Sequence, residues 1–211
     1  MLTHEQVFPN RVAGVVQTED PEGAFRACVA ALEGGIGTIE VQMTVPSCLE
    51  IVRGLVASAG ATLPVGVGTV WDVETVAKAK QAGAAFIVTP TVLPEVAKAC
   101  AQHDLLCVLG ALTPTEIHQA SRIVEVVRIF PVQSLGGPDY VRWLRGPMPA
   151  TPFLVSGGVE IDQVEEYLAL GVTAVGLARA LFPPDAIRRG DMALITTLAR
   201  RATAATGAVW A

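Results

Sequence analysis

Hydrophobic residues gather along the chain in eight short runs, and longer segments of mixed polarity separate them. The runs are rich in valine, isoleucine, leucine and phenylalanine, which is typical of parallel strands covered on both faces. They span Val12–Gln17, Thr38–Met43, Leu63–Gly68, Phe86–Thr89, Leu106–Gly110, Val126–Phe130, Phe153–Ser156 and Ala174–Leu177. The pattern therefore predicts eight strands, each followed by a longer segment that does not have the pattern of a strand.

The segments between the runs have the spacing of amphipathic helices. The first begins after Asp20, a residue type that caps helix N-termini, and ends in glycine. The predicted helical segments are 21–35, Pro46–Gly60, 71–83, 94–104, 113–124, Pro138–Leu144, 160–171 and 191–207. Eight strands that alternate with helices match a closed parallel barrel. We predict a single (β/α)8 (TIM) barrel domain over residues 1–211, with residues 1–10 as a lead-in helix or arm.

An open doubly wound sheet is the alternative architecture. That fold usually has a glycine-rich turn after its first strand, where a dinucleotide binds. Here the turn reads QTEDPEGA over residues 17–24 and lacks this fingerprint. The strand count and this turn favour the barrel.

Composition narrows the class of protein further. Hydrophobic residues make up 51% of the chain, charged residues 17%, and the formal net charge is −5. There is no basic cluster interleaved with aromatic residues, no apolar run of the ~20 residues that span a membrane, and no signal-peptide pattern. We expect a cytoplasmic protein with no nucleic-acid or membrane partner. The four cysteines lie singly in apolar segments, and their spacing predicts small buried side chains.

Candidate chemistry lies at the ends of the predicted strands, where a barrel carries its ligand site. Glu40 and Gln42 share one face of the second strand because alternate side chains point the same way. The opposite face carries Ile39, Val41 and Met43, which would pack on helices. A glutamate inside a barrel is costly unless it is paired. Glu40 is therefore either a functional carboxylate or one half of a buried ion pair.

Six short motifs at the strand ends resemble one family when they are taken in order. They are EVQMT (40–44), GVGTV (66–70), TP (89–90), GALTPTE (110–116), IFP (129–131) and SGG (156–158). They resemble the 2-keto-3-deoxy-6-phosphogluconate (KDPG) aldolases, also known as 4-hydroxy-2-oxoglutarate (KHG) aldolases, from about Arg11 to Arg200. The resemblance implies a homotrimeric barrel that cleaves a 2-keto acid to pyruvate and an aldehyde. It also implies a lysine Schiff base and no metal or cofactor.

The resemblance also assigns roles to individual residues. Glu40 corresponds to the acid–base glutamate, and the residues matched to substrate contacts are Thr44, Thr69, Pro90 and Phe130. Those matched to a phosphate grip are Ser156, Gly157, Gly158 and Gly176. Arg179 either takes over phosphate binding with its N–H donors or faces solvent. Backbone N–H groups of a loop favour an anion, whereas the alternative is that these glycines simply allow a tight turn. The family's serine near the end of the eighth strand is Ala178 here.

Two departures concern the mechanism that the resemblance implies. The family's Schiff-base lysine lies in a Lys-x-Phe-Pro run, which reads Arg128-Ile129-Phe130-Pro131 here. The family's carboxylate-binding arginine, four residues after the glutamate, is Thr44 here. A guanidinium stays protonated and is not a usable nucleophile. The three lysines, Lys78, Lys80 and Lys98, fall in predicted outer helices, so the imine route is expected to be blocked.

Arg128 leaves two interpretations open. It pairs with Glu40 across the barrel and keeps the fold intact, or it binds a substrate carboxylate in place of the arginine missing at Thr44. His4, His103 and His118 lie in unrelated segments, so their spacing does not predict a metal site. We predict a lyase-like barrel that binds a small 2-keto acid or a sugar-acid phosphate without an imine. The alternatives are an inactive ligand-binding or regulatory relative, or a phosphate-sugar enzyme that uses Glu40 and Arg128 for new chemistry.

Overall fold

Eight parallel strands form a closed barrel in chain order, which confirms the predicted architecture. The computed structural model describes residues 1–59 and 63–207. The strands are β1 Val12–Val16, β2 Ile39–Gln42, β3 Val65–Gly68, β4 Phe86–Val88, β5 Leu106–Ala111, β6 Val126–Ile129, β7 Phe153–Ser156 and β8 Ala174–Leu177. The barrel closes where β1 pairs with β8, with Ala13 opposite Gly176.

Helices surround this barrel. They are α1 His4–Val7, α2 Pro21–Glu33, α3 Cys48–Ala59, α4 Val73–Gln81, α5 Pro94–Gln102, α6 Pro114–Ser121, α7 Pro138–Arg145, α8 Val164–Ala169, α9 Pro184–Arg189 and α10 Met192–Gly207. Short 3-10 turns precede α7 at Val132–Leu135 and α8 at Ile161–Gln163. The predicted end of the second helical segment at Gly60 and the predicted domain end at residue 211 lie outside the described residues. No helix within the described ranges is long and apolar enough to cross a membrane.

Alternation along the strands divides the buried side chains into two cores. Outward residues such as Ile39, Val41 and Val127 pack with the helices in one large cluster. Inward residues such as Phe86 and Leu154 form a separate cluster inside the barrel. Both faces of every strand are thus covered, which is why the strands read as continuous apolar runs.

Local sequence signals start several helices where the pattern predicts them. Asp20 accepts a hydrogen bond from the backbone N–H of Gly23 at 2.9 Å, and Asp72 accepts one from Thr75 at 2.8 Å. The Thr75 amide also lowers the pKa of the Asp72 carboxyl below its ordinary value. Each cap satisfies a donor that the first helical turn leaves unpaired.

The segment after β8 differs from the prediction of one final helix. It contains both α9 and α10, joined at Gly190 in a left-handed conformation with φ of 71°. Thr196 of α10 donates to the carbonyl of Ala30 at 3.0 Å, so α10 packs back on α2. The additional helix is α9, and it packs against α2 and α10.

The N-terminal arm seals the end of the barrel opposite the strand C-termini. Val7 and Phe8 belong to the interior cluster, and the ring of Phe8 meets the ring of Phe86 edge-on at 5.6 Å between centroids. Thr38, just before β2, donates to the carbonyl of Val7 at 2.5 Å. Because Phe86 begins β4, this contact lies at the N-terminal ends of the strands.

We predict that Phe8→Ala destabilises the protein by about 3–5 kcal/mol, since it removes a buried ring and leaves a cavity at the base of the barrel. Urea unfolding followed by circular dichroism measures the change. Leu2→Ala removes an exposed side chain of the same arm and should change the free energy of unfolding by less than about 0.5 kcal/mol. Equal effects of the two substitutions would show that the arm does not plug the barrel.

Candidate functional site

A cavity of about 420 Å³ opens at the C-terminal ends of the strands. Its lining consists of Val15, Gln17, Gln42, Thr44, Thr69, Pro90, Arg128, Phe130, Ser156, Gly157, Gly158, Val159, Glu160, Gly176, Ala178, Arg179 and Ala180. The cavity has the size of a small-molecule site, which is typically about 300–1,000 Å³. It also lies where (β/α)8 barrels place their ligands.

A buried ion pair joins opposite sides of the barrel beside this cavity. Nη1 of Arg128 on β6 lies 2.9 Å from Oε1 of Glu40 on β2. The two side chains are 6% and 1% exposed. An isolated charge would be very costly there, so each residue depends on the other.

Two further contacts hold the guanidinium of Arg128. Its Nε donates to Oγ of Ser156 at 2.5 Å, and the group lies 5.0 Å from the ring centre of Phe130. Nη2 makes no hydrogen bond to any described residue and is not sealed from solvent. Since Arg128 lines the cavity, this edge of the guanidinium is available to a ligand.

Two glycines make room for the ion pair and for Ser156. A Cβ atom on Gly68 would lie 1.9 Å from Oε1 of Glu40, and one on Gly176 would lie 3.1 Å from Cβ of Ser156. No side chain fits at Gly68 unless the carboxylate moves. The glycines at these two strand ends therefore set the position of the polar network.

Thr69 combines cavity lining with an unusual backbone conformation. Its φ is 60°, in the left-handed region that β-branched residues rarely adopt. Strain of this kind persists where the surrounding structure enforces it, and it is common at functional sites. The conformation supports the predicted role of Thr69 in ligand contact.

The structure brings most of the sequence-predicted site residues to one cavity. The lining includes Thr44, Thr69, Pro90, Arg128, Phe130, Ser156, Gly157, Gly158, Gly176 and Arg179. Glu40 is not part of the lining. It is connected to the site by its hydrogen-bonded ion pair with Arg128, which lines the cavity.

Sequence reasoning did not assign Gln17, Gln42 and Glu160 to the site, although all three line the cavity. Gln42 carried a signal, because it shares the face of Glu40 on β2. Gln17 follows β1 and Glu160 follows the glycines after β7, and their residue types gave no comparable signal.

All three lysines of the chain lie away from the cavity. Lys78 and Lys80 are on α4 and Lys98 is on α5, and all three are exposed on the outer ring of helices. Lys78 forms an ion pair with Glu74 at 2.8 Å. None of them lines the cavity, as the sequence predicts.

The cysteines lie outside the lining of the cavity. All four are buried and unpaired, as their spacing predicts. Burial raises the pKa of the Cys48 thiol to about 12 and raises the pKa of Cys28 further. A hydrogen bond with Cys100, together with burial, raises the pKa of Cys107. Within the described ranges, no group of three or more His, Cys, Asp or Glu side chains is arranged to hold a metal ion.

The fold and this geometry define a (β/α)8 barrel with a buried arginine–glutamate pair at its ligand end. The profile of the KDPG and KHG aldolase family matches residues 4–198. The 2-dehydro-3-deoxy-phosphogluconate aldolase of Treponema pallidum is 31% identical over 192 residues, covering 90% of this chain and 91% of that protein. The corresponding aldolase of Pseudomonas aeruginosa is 31% identical over 194 residues, covering 91% and 87%.

A solved structure is similar over nearly the whole chain. The KDPG aldolase of Legionella pneumophila, crystallised with pyruvate as a covalent carbinolamine, superposes with a TM-score of 0.84 at 24% identity. The match covers 93% of this chain and 96% of that one and supports the fold. The chain belongs to the KDPG and KHG aldolase family, as its strand-end motifs predict.

Removing one member of the ion pair should be far more harmful than removing both. We predict that Glu40→Leu costs about 3–5 kcal/mol, because it leaves the buried Arg128 unpaired. The double variant Glu40→Leu/Arg128→Met should recover most of that loss, since no buried charge remains. Denaturant unfolding measures all three proteins.

The control for the substitutions of Glu40 and Arg128 is the exposed ion pair of Glu50 and Arg53, 3.3 Å apart on α3. Glu50→Leu should change stability by less than about 1 kcal/mol. A double variant as unstable as Glu40→Leu alone would contradict the assignment of Arg128 as the group that the glutamate stabilises.

Proposed function

We propose that this member of the family binds a 2-keto acid with Arg128 as its carboxylate-binding group and forms no imine with it. The observation that carries the proposal is the buried guanidinium of Arg128. Glu40 and Ser156 fix two of its nitrogens, and its third, Nη2, is left available beside the cavity. On this proposal Arg128 stands where the aldolases of the family keep their Schiff-base lysine.

The chemistry of the side chains supports the absence of an imine. Imine formation needs a neutral amine, and the pKa of a guanidinium, above about 12, keeps it protonated. The lysines on α4 and α5 cannot replace it, because their amines lie on the outside of the barrel.

The same side chain suits a carboxylate. Guanidinium N–H groups match carboxylate oxygens in geometry and charge. Thr44, Thr69 and Gln42 add polar groups around the cavity for the keto oxygen and the rest of the ligand. Pyruvate is the natural probe, since the carboxylate and the keto group are its only polar groups. The structure of the Legionella aldolase contains pyruvate as a covalent carbinolamine.

A second candidate is retro-aldol cleavage without an imine, and one contact favours it. Arg128 binds only Oε1 of Glu40, and Oε2 accepts no hydrogen bond from the described residues. Because Glu40 lies behind the cavity lining, a solvent water in the cavity would relay the proton of the ligand's C4 hydroxyl to it, and the C3–C4 bond would break to release the aldehyde. Its electron pair would form the enolate of pyruvate beside Arg128, and a proton at C3 would complete pyruvate.

Borohydride trapping tests the absence of the imine. Wild-type protein mixed with pyruvate and borohydride should show no mass increase, because no described lysine faces the cavity. Arg128→Lys places an amine beside Glu40 and should gain one pyruvyl adduct per chain. Lys78→Arg is the matched control and should behave as wild type. A trapped adduct on the wild-type protein would overturn the proposal.

Calorimetric titration with pyruvate tests the binding role of Arg128. The double variant Glu40→Leu/Arg128→Met, which is expected to fold, should bind pyruvate at least about tenfold more weakly than wild type, since it loses the carboxylate partner. Arg122→Met, at an exposed position after α6, should bind like wild type. Unchanged affinity in the double variant would contradict the proposal.

Deuterium exchange at the methyl group of pyruvate separates the two candidates. Exchange catalysed by wild type, together with release of pyruvate from hydroxy-keto acids, would establish imine-free cleavage. Binding without exchange would leave ligand binding as the function. Assembly as a trimer stays a prediction that follows from the resemblance, and location in the cytoplasm stays a prediction that follows from the composition and the N-terminal sequence.

A further inference from the structure

We propose that Glu160 makes this site select 2-keto acids without a phosphate group. The inference rests on the proposed function, because it concerns the far end of the same ligand. Glu160 lines the cavity two residues beyond the Gly157–Gly158 pair and is exposed at its rim. In barrels that bind phosphate, this region after the seventh and eighth strands commonly receives the anion.

The two glycines after β7 have a structural explanation that needs no ligand. Both adopt positive φ, 91° for Gly157 and 85° for Gly158. A Cβ atom on Gly157 would lie 2.7 Å from Cα of Pro131, and one on Gly158 would lie 2.7 Å from Cβ of Gln133. The backbone N–H of Gln133 also donates to the carbonyl of Gly157 at 3.1 Å. The turn therefore requires glycine in order to pack against the chain after β6.

The side chains matched to a phosphate grip are engaged or changed. Oγ of Ser156 accepts from Arg128, and Gly176 provides the space for Ser156. Ala178 has no hydroxyl to donate. Arg179 is thus the cation that remains at the rim among these residues, and it is exposed.

The charge of the rim is therefore balanced. Glu160 opposes Arg179 in the lining of the same cavity. Asp162 follows Glu160 in the 3-10 turn, and Glu165 and Glu166 lie in the first turn of α8, so carboxylates already complement the positive end of this helix. A phosphate dianion needs a positive site, whereas a neutral polyhydroxy chain can bind hydroxyl by hydroxyl to Gln17, Gln42 and the rim charges.

A matched pair of ligands tests the inference. The full-length protein is titrated by calorimetry with 2-keto-3-deoxygluconate and with its 6-phosphate, which differ only in the phosphate. Wild type should bind the unphosphorylated acid at least as tightly as the ester. Glu160→Gln removes the like charge and should tighten binding of the ester by about tenfold, with little change for the unphosphorylated acid.

Glu165→Gln is the control, because it removes the same charge from the exposed start of α8 outside the cavity lining. It should change either affinity by less than about twofold, since an exposed charge farther from the ligand is screened. A tenfold preference of wild type for the ester, lost in Arg179→Gln, would overturn the inference. Equal effects of Glu160→Gln and Glu165→Gln would also overturn it.

Pyruvate separates failure of this inference from failure of the proposed function. It has no distal chain, so its binding reports on the carboxylate and keto end of the site, where Arg128 lies. If pyruvate binds and the ester is preferred, the selectivity assigned to Glu160 is wrong and the role of Arg128 stands. If wild type binds neither pyruvate nor either sugar acid, both proposals are wrong.

Discussion

The buried pair of Arg128 and Glu40 is the interaction around which the ligand end of the barrel is arranged. It spans from β6 to β2 across the interior, where neither charge is stable alone. The neighbouring strands are adapted to it. Gly68 on β3 leaves space for the carboxylate, and Ser156 on β7 binds the guanidinium.

This arrangement divides the barrel interior into two halves with different tasks. At the N-terminal ends of the strands, Phe8 and Phe86 close an apolar core that contributes stability. At the C-terminal ends, small residues and charges replace the apolar side chains and leave a cavity. The stability of the first half allows the second half to contain an ion pair and the strained backbone of Thr69.

The sequence predicted the barrel and most of the site because both depend on short-range signals. Apolar runs identified the strands, and the two-residue period of β2 placed Glu40 inside and Ile39 and Val41 outside, as the structure shows. The pair of Arg128 and Glu40 was one of two interpretations that the sequence offered, but other contacts between distant elements left no such signal. The hydrogen bond from Arg128 to Ser156 joins residues 28 positions apart, and the sequence assigned Ser156 to a phosphate. The left-handed backbone conformation of Thr69 could not be predicted either, because threonine rarely adopts it and so does not indicate it in a sequence.

The two interpretations that the sequence left open for Arg128 are compatible in the structure, because a guanidinium has several donors. Nη1 and Nε serve the pair with Glu40 and the contact with Ser156, and these contacts fix the plane of the group. A lysine has one nitrogen, so an ammonium bound to Glu40 would have to give up its proton before it could react. On the proposed function, arginine keeps a permanent positive charge at this position and holds one edge ready for a carboxylate. On that proposal, the absence of a nucleophile and the presence of an oriented binding group follow from the same residue.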